Sequence, residues 1–282
     1  MSAMTAALTR PIPANIIQQA AIASTPDFNL NVIRESAKDP HSSDFVLATP
    51  GPGFTLTNEE CRDAIWMRLG LCAPLGHDKC EINPALDPLG LHRLGCRNAA
   101  PARTRRHDEM VSVIAKTSLA ADPRAFQVVR EERLADAEGS KKRPGDVALN
   151  LGDGRSLVDL TVASPFTAAC QTNSRIAGSP AAAAISAYDR KLTKWRSLLD
   201  SHSLDEEQLA SRFQPLAVTA LGVWDERSLR WLRRFSDVCA AAAGTDGGSA
   251  FSSLMTWLSV ALWKGNSRLE RVLQTGDGCW AL

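Results

Sequence analysis

The sequence predicts an α/β fold in which a small sheet of mixed strand direction is flanked by helices. Between residues 105 and 220, helix-like and strand-like segments follow one another in the order α-β-β-β-α-β. Hydrophobic residues make up 44% of the chain and charged residues 22%, as in most globular proteins, so most of the chain is expected to fold. The formal net charge of +1 gives no overall attraction to nucleic acid or to an acidic membrane, so such contacts would need local clusters of charge.

Each element of this core is predicted from a local pattern. The stretch RRHDEMVSVIAKTSLA, which begins at Arg105, predicts a helix near 107–118. The stretch after Ser179-Pro180 predicts a second helix near 182–200, because Pro is favoured at helix starts and Ala, Leu and Lys are good helix formers. The Gly152-Asp153-Gly154 turn predicts a hairpin. Runs of strand-forming residues predict strands near 126–131, 147–151, 157–162 and 216–220.

Composition divides the chain into four segments. Residues 1–55 are rich in Ala, Ser, Thr, Pro and Asn without sustained periodicity, and they are predicted to be a disordered stub or a linker. Residues 56–100 begin with a short capped helix and continue into a segment that contains Cys and His. The α/β core follows at 101–220, and residues 221–282 are predicted to form a helical tail.

Cysteine usage and hydropathy predict an intracellular protein. The seven cysteines are an odd number, are unevenly spaced and follow no secretory segment, which argues against a disulfide framework. The most apolar stretch, which ends before Lys264, is shorter than the roughly 20 residues that a membrane helix needs. We therefore expect a reducing compartment and no membrane span.

Two aspartates at strand positions are the first candidate functional residues. Asp146 opens one predicted strand, and Asp159 lies within the next. A hairpin of this length can bring the start of one strand beside the end of the other, so the two carboxylates could share a divalent cation such as Mg²⁺, which prefers oxygen ligands. Spacing alone leaves open a second interpretation, in which both are turn or surface residues.

Two lysines on the following helix extend this candidate site. Lys191 and Lys194 are three residues apart, so they lie on the same side of the predicted helix. One of them could face the carboxylates. The alternative is that both lie on an ordinary solvated helix face.

With these residues in place, the chain resembles the restriction-like endonuclease domain, of the PD-(D/E)XK superfamily, at the C-terminal end of non-LTR retrotransposon polyproteins. The family pattern is a Cys/His knuckle, an Arg-His pair at a helix start, Pro-Asp, a second Asp about a dozen residues later, and a Lys moved onto the next helix. The corresponding stretches here, over roughly 58–269, are CEINPALDPLGLHRLGC, RRHDEM, RPGD, LVDLTV and DRKLTKW. Gly145 is inserted into the Pro-Asp pair.

The resemblance implies a restriction-endonuclease-like mixed sheet flanked by helices and preceded by a small Cys/His knuckle. It implies that Asp146 and Asp159 hold Mg²⁺ or Mn²⁺, that Lys191 is the catalytic lysine, and that Lys194 and Trp195 are the basic-aromatic pair after it. The implied reaction is hydrolysis of a DNA phosphodiester, which in this family primes reverse transcription. The implied site of action is the nucleus, and no small-molecule cofactor is expected.

The Cys/His segment is expected from the same resemblance to hold Zn²⁺ through four ligands. Cys80, His92 and Cys96 are in place, and either Cys72 or His77 could supply the fourth ligand. The alternative is a degenerate knuckle that holds no metal.

DNA is the expected partner, with the element's own RNA as a further one, and contacts with the DNA backbone are expected from two basic clusters. The first cluster is at 102–107 and the second at 141–143; their residues are Arg103, Arg105, Arg106, His107, Lys141, Lys142 and Arg143. A polymerase is excluded from this chain, since the only tyrosine is Tyr188 and a Tyr-x-Asp-Asp motif is therefore absent. Two alternatives stay open: an inactive or host-coopted remnant that binds nucleic acid, and an α/β structural protein.

Overall fold

The computed structural model describes much of the chain. The described residues are 27–48, 55–70, 91–95, 99–122, 128–130, 134–135, 141–142, 145–150, 155–166, 179, 181–200 and 212–275. The helices are α1 (Asp27–Ser36), α2 (Asn58–Leu69), α3 (Ala100–Ala121), α4 (Ala181–Asp200), α5 (Glu226–Ala243) and α6 (Gly247–Thr275), with 3-10 helices at Pro40–Leu47 and Leu91–Leu94. The strands are β1 (Val128–Arg130), β2 (Leu134–Ala135), β3 (Lys141–Lys142), β4 (Val147–Asn150), β5 (Arg155–Ala163) and β6 (Phe213–Thr219).

The main sheet has four strands in the order β1-β4-β5-β6, and the short strands β2 and β3 pair separately. β1 and β5 both run antiparallel to β4, whereas β6 runs parallel to β5. A parallel pair needs a crossover connection, and α4 provides it between β5 and β6. The predicted α/β class with mixed strand directions is therefore confirmed, and all four predicted strands and both predicted core helices are present with shifted ends.

Helices cover both faces of this sheet. Val158 and Leu160 of β5 point toward α3, α5 and α6, where they join the largest apolar cluster together with Met110 and Leu258. The alternate residues of β5 point the other way, because successive side chains on a strand face opposite sides. On that side Leu157 packs against α4. Asp159 is on the α4 side of the sheet for the same reason.

α4 is held on the sheet by aromatic and small side chains. Trp195 is buried and stacks on Phe213 of β6, with ring centroids 4.6 Å apart and planes 17° apart. Ala184 and Ala187 pack with Tyr188 and Ala217 in a second buried cluster, and their small side chains let the helix lie close to β6. These contacts determine which residues of α4 face the sheet.

The segment before residue 55 differs from its predicted role as a stub or linker. α1 and the 3-10 helix Pro40–Leu47 bury Val32, Ile33 and Phe45 in a cluster that includes Trp263 of α6. The Phe45 N–H donates to Ser259 Oγ at 3.0 Å, which ties the 3-10 helix to α6. Residues 27–48 are thus part of the folded core, while residues 1–26 lie outside the described residues.

Within the predicted helical tail at 221–282, the described helices α5 and α6 are central to the core. Leu232 and Phe235 of α5 and Leu254 and Leu258 of α6 are almost fully buried beneath the sheet. None of the described helices, including the 29-residue α6, combines the length and hydropathy that a membrane span requires.

Candidate functional site

The start of β4 brings Asp146 against the middle of β5. The Asp146 N–H donates to Val158 O at 2.8 Å, and the Leu160 N–H donates to Asp146 Oδ2 at 2.7 Å. Asp146 is therefore bonded to the two residues that flank Asp159. The inserted Gly145 packs directly on β5, since a Cβ at this position would lie 3.0 Å from Val158 O. The insertion thus allows a close approach of the two backbones beside Asp146.

Lys191 extends from α4 to Asp159. Its Nζ lies 2.8 Å from both Asp159 Oδ1 and Oδ2. Lys194, one turn further along α4, is exposed, while Trp195 is buried against the sheet. Of the two candidate lysines, the structure places Lys191 at the carboxylates and Lys194 at the surface of the helix.

His107 of α3 completes the cluster from the side opposite α4. Its Nε2 lies 2.9 Å from Asp146 Oδ2 and 3.2 Å from Leu160 O, and its Nδ1 lies 3.0 Å from Asp108 Oδ1. From the sequence we expected His107 to contact DNA with the basic residues around it. The sequence signal for its place in the site is the Arg106-His107 pair of the resemblance, which the structure places within α3 and not at the helix start predicted for it.

The electrostatics of the two aspartates differ. Burial raises the pKa of Asp159 to about 6; the charge of Lys191 opposes this rise and the nearby charge of Asp146 adds to it. Burial also acts to raise the pKa of Asp146, but the hydrogen bond and charge of His107, with smaller contributions from the Leu160 N–H and Lys191, bring it below its ordinary value. Burial lowers the pKa of His107, and the hydrogen bond and charge of Asp146 reverse this and raise it to about 9.

The first predicted basic cluster is divided between core and surface. Arg106 is only 2% exposed, and its Nη1 donates to Asn266 Oδ1 at 2.6 Å, so it joins α3 to α6 and is not placed to contact DNA. The prediction that Arg106 contacts DNA is therefore corrected, because its position on α3 directs its side chain toward α6. Arg103 is half-buried and donates to Gly95 O at 3.4 Å, whereas Arg105 is exposed beside Glu109.

The remaining predicted residues lie outside the part of the chain that is described in full. Lys141 and Lys142 form β3, but nothing is described of their side chains or of Arg143. Cys72, His77, Cys80 and Cys96 are not among the described residues, and His92 lies in a 3-10 helix without a described side chain. The zinc knuckle therefore stays a prediction.

The donor set at Asp146 and Asp159 fits a hard divalent cation of the magnesium type. The two carboxylates lie near enough for the charge of Asp146 to act on Asp159. Mg²⁺ keeps several waters, so it needs only one or two carboxylates from a protein. Within the described ranges, no group of three or more His, Cys, Asp and Glu side chains is arranged to hold a metal. Asp146 and Asp159 are therefore a donor pair of the kind that Mg²⁺ takes from a protein.

No protein-family model matches the chain, and no curated protein matches it significantly.

Proposed function

We propose that this protein is a divalent-metal-dependent DNA endonuclease of the restriction-like, PD-(D/E)XK type. The observation that carries the proposal is that Asp146, Asp159 and Lys191 lie together: Asp146 bonds to the N–H of Leu160 next to Asp159, its charge acts on Asp159, and Lys191 pairs with Asp159. Two carboxylates and a lysine grouped where β4 begins beside the middle of β5 are a suitable set for hydrolysis of a phosphodiester. The resemblance of the motifs to non-LTR retrotransposon polyproteins supports the same proposal.

Each side chain has a distinct task in this mechanism. Asp146 and Asp159 would hold Mg²⁺ or Mn²⁺, which when bound supplies a Lewis acid and lowers the pKa of a coordinated water. The Lys191 ammonium, which pairs with Asp159 in the structure, would donate to a phosphate oxygen or to the attacking water. Trp195 anchors α4 on β6, and Lys191, one turn earlier on the same helix, is paired with Asp159 without DNA.

The proposed substrate is DNA, and the proposed role is nicking of a target that then primes reverse transcription, with element RNA as a further partner. With a net charge of +1, DNA binding would depend on local basic residues. The exposed Arg105 lies two residues from His107 and is the described member of the first cluster best placed for a phosphate contact. Lys141, Lys142, Arg143 and a zinc knuckle would add contacts, and the nucleus would be the place of action.

A second candidate function is that of an inactive or host-coopted module that binds nucleic acid without cleaving it. The observation that favours it is that both carboxylates already have a cationic partner from the protein: His107 for Asp146 and Lys191 for Asp159. Such pairs compensate the buried charges without a metal. The two candidate functions differ in whether a divalent cation binds at Asp146 and Asp159, either in place of these ion pairs or beside them.

A plasmid nicking assay tests the proposed function. Wild-type protein should convert supercoiled plasmid to the open circle in Mg²⁺ and not in EDTA, and Asp159→Ala should abolish the conversion. Asp189→Ala is the matched control, since Asp189 is an exposed acid on α4 that pairs with Arg227. Wild-type protein that binds DNA without nicking it in Mg²⁺ or Mn²⁺ would favour the second candidate.

A further inference from the structure

We infer that His107 is a positioning residue that fixes the Asp146 carboxylate for cation binding, and this inference rests on the proposed function. The role differs from a contact with DNA, since His107 would act on the substrate only through Asp146. Although α3 carries none of the proposed cation ligands, it would shape the site through His107.

Hydrogen bonds to Asp146 are the first observation behind this inference. His107 Nε2, at 2.9 Å, and the Leu160 N–H, at 2.7 Å, both meet the same oxygen, Oδ2. Two donors on one oxygen fix the rotation of the carboxylate about its last bond. Oδ1 is then the oxygen that is presented to a ligand, in a constant direction.

The surroundings of His107 are the second observation. Its Nε2 also lies 3.2 Å from Leu160 O, and its Nδ1 lies 3.0 Å from Asp108 Oδ1, so acceptors face both ring nitrogens. The His107 side chain is 27% exposed, and α3 is anchored beneath it by the buried Arg106 and Met110. The ring is therefore held in one orientation by contacts on both edges.

The physical consequence is a pre-arranged ligand. Residues that orient metal ligands through hydrogen bonds typically change metal affinity by about 10–100-fold when they are replaced. Without His107, the Leu160 N–H alone would hold Asp146, and the carboxylate could rotate toward other partners. We therefore expect the loss of His107 to weaken cation binding while the fold is retained.

Mn²⁺ titration followed by the paramagnetic resonance signal of the free ion tests the inference apart from activity. His107→Leu should weaken Mn²⁺ binding by about 10–100-fold. His107→Gln should restore most of the affinity, because the Gln side-chain amide can donate at the position of Nε2. His41→Leu is the matched control: His41 is a half-buried histidine 2.9 Å from Asp44, on the 3-10 helix that packs against α6.

A second measurement separates positioning from DNA contact. Affinity for a short DNA duplex in EDTA should be the same for wild-type protein and His107→Leu. If His107→Leu does not fold, Asp108→Ala takes its place. Asp108 is exposed, and its replacement removes only the contact at His107 Nδ1. A smaller decrease in Mn²⁺ affinity is then expected.

The outcomes distinguish this inference from the proposed function. Wild-type Mn²⁺ affinity in both His107→Leu and Asp108→Ala, with binding lost in Asp159→Ala, would overturn the positioning role and leave the proposed function standing. A loss of DNA affinity in EDTA with Mn²⁺ binding unchanged would make His107 a DNA contact and overturn it likewise. If wild-type protein shows no Mn²⁺ binding that depends on Asp159, both the proposed function and this inference fall.

Discussion

Lys191 of α4 and Asp159 of β5 form an ion pair in which the ammonium lies 2.8 Å from both carboxylate oxygens. The two residues are 32 positions apart, and the crossover from β5 to β6 brings them together. Asp159 is buried, so a charge of opposite sign beside it offsets part of the cost of removing the carboxylate from water. Under the proposed function, the same arrangement would put a positive charge beside a phosphate held at the two aspartates.

Replacement of Lys191 should have a larger effect on DNA nicking than replacement of Lys194. Loss of one electrostatic contact to the reacting group typically lowers kcat by about 100–1,000-fold, and Lys191→Ala is expected to do so. Lys194→Ala should nick at close to the wild-type rate, because this side chain is exposed. Single-turnover nicking of supercoiled plasmid measures both. Equal rates for Lys191→Ala and wild type, with a loss in Lys194→Ala, would move the lysine assignment by one turn.

Trp195 should be a main source of the stability of α4. Its side chain is buried and stacked on Phe213, so Trp195→Ala should lower the free energy of unfolding by about 3–5 kcal/mol. Urea denaturation followed by circular dichroism measures the change. The control is Trp66→Ala on α2, where the side chain is only half-buried and a smaller loss is expected. A smaller loss for Trp195→Ala than for Trp66→Ala would contradict the packing described for α4.

Gly265 should be required for the crossing of α3 and α6. A Cβ at this position would clash with Cβ and Cγ of the buried Arg106, so Gly265→Ala should destabilise the protein by about 1–3 kcal/mol. Gly248→Ala is the control near the start of the same helix. Among the described residues, the one atom close to its added Cβ is the Asp246 carboxylate oxygen at 3.3 Å, and Ala is a better helix former than Gly by about 1 kcal/mol. Thermal unfolding of the two variants should therefore shift in opposite directions; equal shifts would contradict this account.

The pair of His107 and Asp146 should make stability depend on pH in the alkaline range. Contacts in the fold raise the pKa of His107 from 6.5 to about 9, so the folded state retains the proton that the unfolded state loses. The stabilisation that the protonated His107 contributes to the fold is fully present below about pH 6.5 and is lost as the pH rises through about 9. Urea denaturation of wild type and of His107→Gln across this range measures it. The stability advantage of wild type over His107→Gln should shrink with rising pH, and a constant difference would count against the ion pair.

Local patterns were sufficient to predict the sheet and α4. The runs of Val, Leu and Thr around Asp159 and the apolar end of β6 have the composition of buried strands, and the Ala- and Leu-rich stretch after residue 180 has that of a helix. The preference for Lys191 over Lys194 came from a motif resemblance, and the packing of Trp195 supplies its physical reason. Helix and strand ends shifted because tertiary contacts, more than propensity, set them.

Long-range contacts account for what the sequence did not predict. The Phe45 N–H donates to Ser259, which is 214 residues away. The apolar residues near Phe45 in sequence are few and show no periodicity, so no local pattern marks residues 27–48 as part of the core. The burial of Arg106 depends on Asn266 in the same way, across 160 residues. His107 meets Asp146 because α3 lies beside the start of β4, a geometry that no spacing in the sequence encodes.

The central claim is that Asp146 and Asp159 share one divalent cation. A crystal structure of the protein grown in Mn²⁺, with an anomalous difference map at the manganese edge, tests it most directly. The predicted result is a single peak bonded to a carboxylate oxygen of both aspartates, with Lys191 beside it and His107 still on Asp146 Oδ2. A map without a peak at this position, in which Lys191 still holds Asp159 and His107 still holds Asp146, would contradict the claim.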